Sequence, residues 1–369
     1  MWLGELLDRL AAFEPTEHPC LSLYLDAQAD QHGQDRFDPF VRKELRAGAE
    51  KYTARSPERA GFERDAARIT RYLQDELRPS ANGVAIFACA GAREFFEAAQ
   101  IEVPVAEHRL FVAPTPHLLP LARFEDQYPP YAALLADTSS ARLFVFGVGE
   151  RLAEERVDNV RTSRSAAGGW SQARYQRHIE NYRLHHAKEV VEALDRLVRD
   201  EGIDRIVLAG DDVLVPALRA ELPKPLAGRV VGVVRLDMTT PEHEVFRATR
   251  EVVRAQDAKD DAGRVGRLLD AYHGSGLGVV GVRDTLKALD RGQVDELFIS
   301  ASPSEVESGE DDAARIVDRL VTRARQTAAR VTFVEDPALL ADVGGVGARL
   351  RYRSEAASEG TPEPTRRVS

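Results

Sequence analysis

Cysteine is nearly absent from this chain: Cys20 and Cys89 are the only two in 369 residues, far apart and in no CxxC pattern. That scarcity argues against a disulfide framework or a zinc knuckle and fits a reducing cytosol. Long apolar runs are missing as well. No window of about 18 apolar residues exists to span a bilayer, so no membrane is expected as a partner. The opening Met1-Trp2-Leu3-Gly4-Glu5-Leu6-Leu7 carries an acid early and no basic run, so it does not read as a signal peptide and a cytoplasmic location is expected. Short-period repeats of the solenoid kind are absent. An excess of positive charge is absent too: 50 Lys and Arg stand against 60 Asp and Glu, a formal net charge of −10. General nucleic-acid coating is thereby disfavoured, while a local basic contact stays open.

What is present is apolar content of 43%, enough for real cores, over a length that suits two or three domains. Residues 3–12 have helical apolar spacing, Leu21-Ser22-Leu23-Tyr24-Leu25 alternates as a strand, and helices are expected over 36–52 and 57–78. Ser56-Pro57-Glu58 opens the second of these, with Pro at the first helical position. Gly83–Ala88 reads as a buried strand, and strand-like segments recur near 94–102, 109–113 and 118–124. The Tyr128-Pro129-Pro130 turn marks a boundary after an N-terminal α/β domain over residues 1–126. His108 and His117 are isolated and read as structural or exposed.

The second unit, residues 127–257, begins with strands over 132–137 and 141–147 and a third near 150–157. Then comes the stretch around which the chain is organised, Ser165-Ala166-Ala167-Gly168-Gly169-Trp170-Ser171-Gln172-Ala173-Arg174-Tyr175-Gln176-Arg177-His178. Two glycines on a small-residue loop permit turns closed to other residues and a close approach to a partner. A long basic helix follows at once. From Arg161 to Lys188 six Arg or Lys stand against the single carboxylate of Glu180, a local net charge of +5 in an acidic chain. Such a concentration points to a specific polyanion contact. Tyr175, Ile179, Tyr182, His186, Val190, Ala193 and Leu197 recur at steps of three and four and should pack on the sheet. Arg174, His178, Asn181 and His185 form another, donor-rich face that can meet phosphates, although it also reads as a solvated stripe. His185 and His186 are neighbours, about 100° apart on a helix, and cannot easily chelate together; no metal and no cofactor are expected.

Further on, 206–210 and 230–234 read as buried strands, 212–221 and 241–256 as helices. Three antiparallel strands followed by alternating helices and buried strands give a mixed α/β sheet. A third unit, residues 258–353, opens on the polar Lys259–Gly263, with helices over 264–272 and 311–329, strands at 294–300 and 331–334, and Gly292 as a helix C-cap. Residues 354–369 are polar, with Pro and Gly, and read as a disordered tail.

Gly281-Val282-Arg283-Asp284-Thr285-Leu286-Lys287-Ala288-Leu289-Asp290-Arg291-Gly292-Gln293-Val294-Asp295 closely resembles the opening of the third domain of archaeal and eukaryotic class-I peptide-chain release factors. Gly168-Gly169-Trp170-Ser171-Gln172-Ala173-Arg174-Tyr175 resembles their Gly-Gly-Gln loop. The resemblance covers residues 131–353; residues 1–130 lack the Asn-Ile-Lys-Ser motif that reads stop codons. It implies a bacterial member of that superfamily with three α/β domains: an N-terminal one, an RNase H-like middle domain, and a three-layer α/β/α domain of the kink-turn-binding ribosomal-protein type. It also implies a ribosomal partner, both rRNA and peptidyl-tRNA, and a translational GTPase contacting the third domain. DNA is not implied.

The loop departs from the family at one position. The residue after the two glycines, a Gln that helps place water on the peptidyl-tRNA ester, is Trp170 here, and Gln172 lies two residues later. Ser171, Arg174 and Tyr175 keep the family's Ser, Arg and aromatic positions. In one reading Gly168, Gly169 and Gln172 form the catalytic element, with Gln172 positioning water and the ribosome supplying most of the orientation. In the other, Trp170 stacks on an exposed base and plugs the peptidyl-transferase centre without hydrolysis. A third use of Trp170, as an anchor folding the loop onto its own domain, also stays open. In each ribosomal reading Trp170, Ser171, Arg174, Arg177, His178 and Arg183 contact RNA, and the loop from Gly168 to Gln172 is expected to be exposed and mobile.

Overall fold

Apolar residues at helical spacing fold Trp2–Ala11 into helix α1, with Leu3, Leu6, Leu7 and Leu10 buried. The computed structural model describes the chain except at residues 1, 29–36, 93–94, 102, 104, 138–139, 148–149, 159–171, 211–213, 275, 303, 305, 307–311 and 354–369. Alternation makes Cys20–Asp26 a strand, β1. Helices α2 (Asp38–Glu50) and α3 (Pro57–Asp75) follow, and Ser56 caps α3 by accepting from the Arg59 N–H at 3.2 Å. Strands β2 (Gly83–Cys89), β3 (Phe95–Ile101) and β4 (Arg109–Ala113) complete an antiparallel sheet of order β3-β2-β1-β4. Leu21, Leu23 and Leu25 join Val84, Ile86 and Ala88 in one core with Val41 and Leu45 of α2 and Phe62 and Ile69 of α3.

Asp65 of α3 is buried, and its Oδ2 accepts from the Ala90 N–H at 2.8 Å. Burial pushes its carboxyl up to about 6, against the opposing pull of that N–H. An unfolded Asp titrates near about 3.9, so the folded state favours the protonated form. The resulting stability is fully present below about pH 4 and is lost as pH rises through about 6. Asp65→Asn imitates the protonated carboxyl, and its stability relative to wild type should rise by about 2–3 kcal/mol across that window. Urea titrations of both proteins at pH 4 and pH 7 check this; a stability difference that stays constant between them would contradict it.

The segment read as strand-like near 118–124 is instead helix α4 (Leu119–Gln127). A distant carboxylate explains the difference. Asp318 Oδ1 accepts from the N–H groups of Leu118 and Leu119 at 2.7 and 2.9 Å, satisfying donors that a helix start leaves open, and His117 Nδ1 lies 3.2 Å from the same oxygen. No local pattern reveals a cap 199 residues away.

The middle sheet starts with β5 (Tyr131–Ala136), β6 (Ser140–Gly147) and β7 (Glu150–Asp158), paired antiparallel in sequence order. Helix α5 (Gln172–Asp200) leads to β8 (Ile206–Gly210), and α6 (Leu214–Glu221) and α7 (Lys224–Ala227) lead to β9 (Val230–Val234). The order is β7-β6-β5-β8-β9, with β5, β8 and β9 parallel. Gly210 is required where β8 meets β5, because a Cβ there would stand 2.1 Å from the carbonyl oxygen of Ala136. One sheet face is covered by α5 and α6 through Val190, Leu194 and Leu218. The other, with Phe144, Phe146 and Val207, is covered by Val245 and Val253 of helix α8 (Glu242–His273).

Helix α8 corrects two expectations at once. The helices expected over 241–256 and 264–272 are one, and the polar Lys259–Gly263 between them is helical. Those residues carry no proline, Asp261 pairs with Arg264 at 2.9 Å, and Val265 and Leu268 are buried. Against that, Gly263 weakens a helix by only about 1 kcal/mol.

The last sheet holds β10 (Gly278–Val280), β11 (Val294–Ser300), β12 (Arg330–Val334) and β13 (Val346–Leu350), in the order β10-β13-β11-β12, with β11 and β12 parallel. Helix α9 (Val282–Asp290) precedes β11 and α10 (Ala313–Gln326) precedes β12. Gly292, at φ 65°, ends α9 as expected: its N–H reaches Leu289 O, and the Gln293 N–H reaches Ala288 O at 3.0 Å. The fold is therefore α/β with mixed sheets. The chain divides into two compact units, residues 1–13, 117–123 and 260–369 in one and residues 14–116 and 124–259 in the other. Helix α1 lies in the first, where Gln326 of α10 donates to Ala11 O at 2.8 Å. No helix among the described residues is long and apolar enough to cross a membrane.

Candidate nucleic-acid interface

The candidate interface is built on α5, 29 residues long and helical from Gln172 onward. Its C-terminal half is anchored. Ala187, Val190, Leu194 and Val198 are wholly buried in the core under β5, β6 and β8. Arg196 pairs with Glu155 of β7 at 2.7 Å, tying the helix to the last strand before the glycine loop. The sequence gives no sign of this tie, since the partners stand 41 residues apart.

His186 falls on the buried stripe as its spacing predicts, at 0% exposure. Among the described residues neither of its buried ring nitrogens has a hydrogen-bond partner. His185 is exposed and meets Glu189 at 3.7 Å. Neighbouring histidines thus point one inward and one outward, as a 3.6-residue period requires. Among the described residues no group of three or more His, Cys, Asp or Glu could hold a metal ion.

Toward its N-terminus α5 carries Arg174, Arg177, His178 and Arg183 on helical backbone. From Gln172 to His186 the helix rises about 21 Å at about 1.5 Å per residue. Gln172 is its first residue, so the opening N–H groups of the helix, which have no intrahelical acceptor, belong to Gln172 and the residues just after it. These carry the partial positive charge of a helix N-terminus, which favours anions or developing negative charge. Gly168, Gly169, Trp170 and Ser171 lie outside the described residues, as does the expectation of an exposed loop.

Residues 116–254 match the model of a protein family described as bacterial archaeo-eukaryotic release factor family 10. The match is confined to that middle stretch of the chain. The match to family 10 takes in the hairpin β6–β7, the glycine loop, all of α5 and the parallel strands beyond it. No curated protein matches the chain. Among solved structures it is similar to an archaeal translation termination factor, aRF1, at 18% identity over 95% of this chain and 97% of that one, with a TM-score of 0.28. It is similar to Pelota of Archaeoglobus fulgidus at 15% identity over 74% and 80% of the two chains, with a TM-score of 0.36. It is also similar to an archaeal Pelota described in a ribosome-bound model with ABCE1, at 14% identity over 95% and 94%, with a TM-score of 0.43.

Proposed function

We propose that this chain is a cytoplasmic, release-factor-like translation factor that enters the ribosomal A site and hydrolyses peptidyl-tRNA ester on stalled ribosomes without reading a stop codon. The observation that carries the reading is the position of Gln172. It follows the glycine loop directly and opens the basic helix, inside the stretch that matches the release-factor family. A glutamine there can accept from a water through its side-chain carbonyl while its NH₂ donates to a tRNA or rRNA oxygen. The N–H groups that open the same helix, which have no intrahelical acceptor, favour the negative charge that develops on the ester oxygen. The rRNA and tRNA supply most of the site, so the factor's share is orientation. Arg174, Arg177, His178 and Arg183 then hold rRNA or tRNA phosphates along the helix, and a translational GTPase is the partner proposed for the C-terminal sheet. The three-domain division at residues 126 and 257 belongs to the same proposal. Release of labelled peptide from non-stop ribosome complexes tests it.

A second reading rests on Trp170, which stands where the family's water-placing glutamine belongs. Its flat apolar ring and single N–H donor suit stacking and cannot activate water. In this reading the chain is a non-catalytic hibernation or protection factor whose loop plugs the peptidyl-transferase centre. Trp170→Ala should then weaken ribosome binding by about 1–3 kcal/mol, the scale of one base stack. A binding isotherm at one fixed salt concentration measures it, and an unchanged affinity contradicts the plug.

A further inference from the structure

The two cysteines, 69 residues apart in the chain, are neighbours in the N-terminal sheet. The register Leu21↔Ala88 between β1 and β2 runs on by one step to bring Cys20, the first residue of β1, opposite Cys89, the last of β2. Two hydrogen bonds settle which kind of pair this is. The Asp26 N–H donates to His108 Nδ1 at 3.1 Å, toward β4, and the Ala27 N–H donates to Asn82 O at 2.9 Å, toward β2. Backbone groups alternate in direction along a strand, so even-numbered residues of β1 address β4 and odd-numbered ones address β2. Cys20 and Cys89 therefore form a non-hydrogen-bonded pair, whose Cα atoms lie about 4.5 Å apart. A disulfide closes without backbone movement at about 4.4–6.8 Å. Opposed residues also share a face, here the one turned away from the Leu21, Leu23 and Leu25 core.

The two thiols differ in setting. Both are fully buried. Burial, with Cys89 beside it, pushes the Cys20 thiol well above its ordinary range. The Cys89 sulfur sits at the strand end, 3.4 Å from Thr16 Oγ1, and donates to His18 O at 3.7 Å. Thr16, His18 and Pro19 above it are only half-buried. This half-buried segment is what covers the Cys89 sulfur, through Thr16 and His18.

We propose that Cys20 and Cys89 are an oxidisable dithiol that closes into a disulfide when the folded chain meets a peroxide. Cys89, as its thiolate, attacks the peroxide O–O bond and becomes a sulfenic acid, releasing one water once its oxygen gains a proton. The Cys20 sulfur then attacks the sulfenic sulfur; the S–O bond breaks, the S–S bond forms, and the Cys20 proton leaves with the oxygen as a second water. Two thiols are oxidised and one peroxide is reduced to two waters. A dithiol reductant reverses the bond.

The experiment treats the full folded chain with hydrogen peroxide, unfolds it in an alkylating reagent, and reads the intact mass and peptide map. The expected product is two hydrogens lighter, unalkylated, monomeric and cross-linked between the Cys20 and Cys89 peptides, and it returns to two free thiols with dithiothreitol. In Cys20→Ser the reaction should stop at a Cys89 sulfenic acid that dimedone traps. Two alkylated thiols after peroxide treatment, a disulfide between two chains, or a cross-link-like mass loss in Cys20→Ser would each overturn the proposal.

Discussion

Gln172→Ala is expected to lower peptide release from stalled ribosomes by about 10²-fold, the usual effect of removing one positioned transition-state interaction. Ribosome affinity should be nearly kept, because the basic residues that hold phosphates are untouched. The substitution suits its position: alanine is the best helix former, and Gln172 is the first residue of α5. A fall in release therefore reports the missing side chain and not a broken helix. Gln172→Glu sharpens the test, since it keeps the acceptor and removes the donor. Single-turnover release with saturating factor separates this effect from binding. Release that survives Gln172→Ala would remove this residue from the catalytic element.

The second large effect concerns Arg174 and Arg177. Changing both to Glu should weaken ribosome binding by about 10- to 100-fold at fixed salt and flatten the dependence of log affinity on log salt by about 1.4–1.8, roughly 0.7–0.9 for each phosphate no longer neutralised. Folding should persist, because the described anchors of α5, from Ala187 to Val198, lie well along the helix. Pelleting with ribosomes across a salt series measures the slope, and circular dichroism checks the fold. An unchanged slope would make the basic stretch an ordinary solvated surface.

Particular residues show what could be read from the sequence. The alternation of Leu21, Leu23 and Leu25 and the three- and four-residue steps of His186, Val190, Ala193 and Leu197 gave correct elements and correct buried faces, because period and burial are tied by backbone geometry. Gly292 was legible as a helix cap because few other residues adopt positive φ freely. Helix α4 was not legible, since its opening donors are satisfied by Asp318 from the far end of the chain. The continuity of α8 was hidden by a polar stretch whose Asp261 pairs with Arg264, which in turn pairs with Glu296 of β11 at 3.1 Å. The same limit hid the pairing of Cys20 with Cys89 and of Arg196 with Glu155: sheet register and cross-element contacts are tertiary facts. At the candidate site, the sequence supplied the loop and the charges, and the structure added that Gln172 stands first in the helix.

Peptide release bears most directly on the proposed hydrolysis. Ribosomes stalled on a non-stop message and carrying labelled peptidyl-tRNA are mixed with the wild-type chain at a concentration where footprinting shows the A site occupied, and free peptide is counted with time. Wild type is expected to release peptide without a stop codon, and Gln172→Ala to abolish most of that release. An occupied A site with the peptide still esterified to its tRNA would contradict the hydrolase reading.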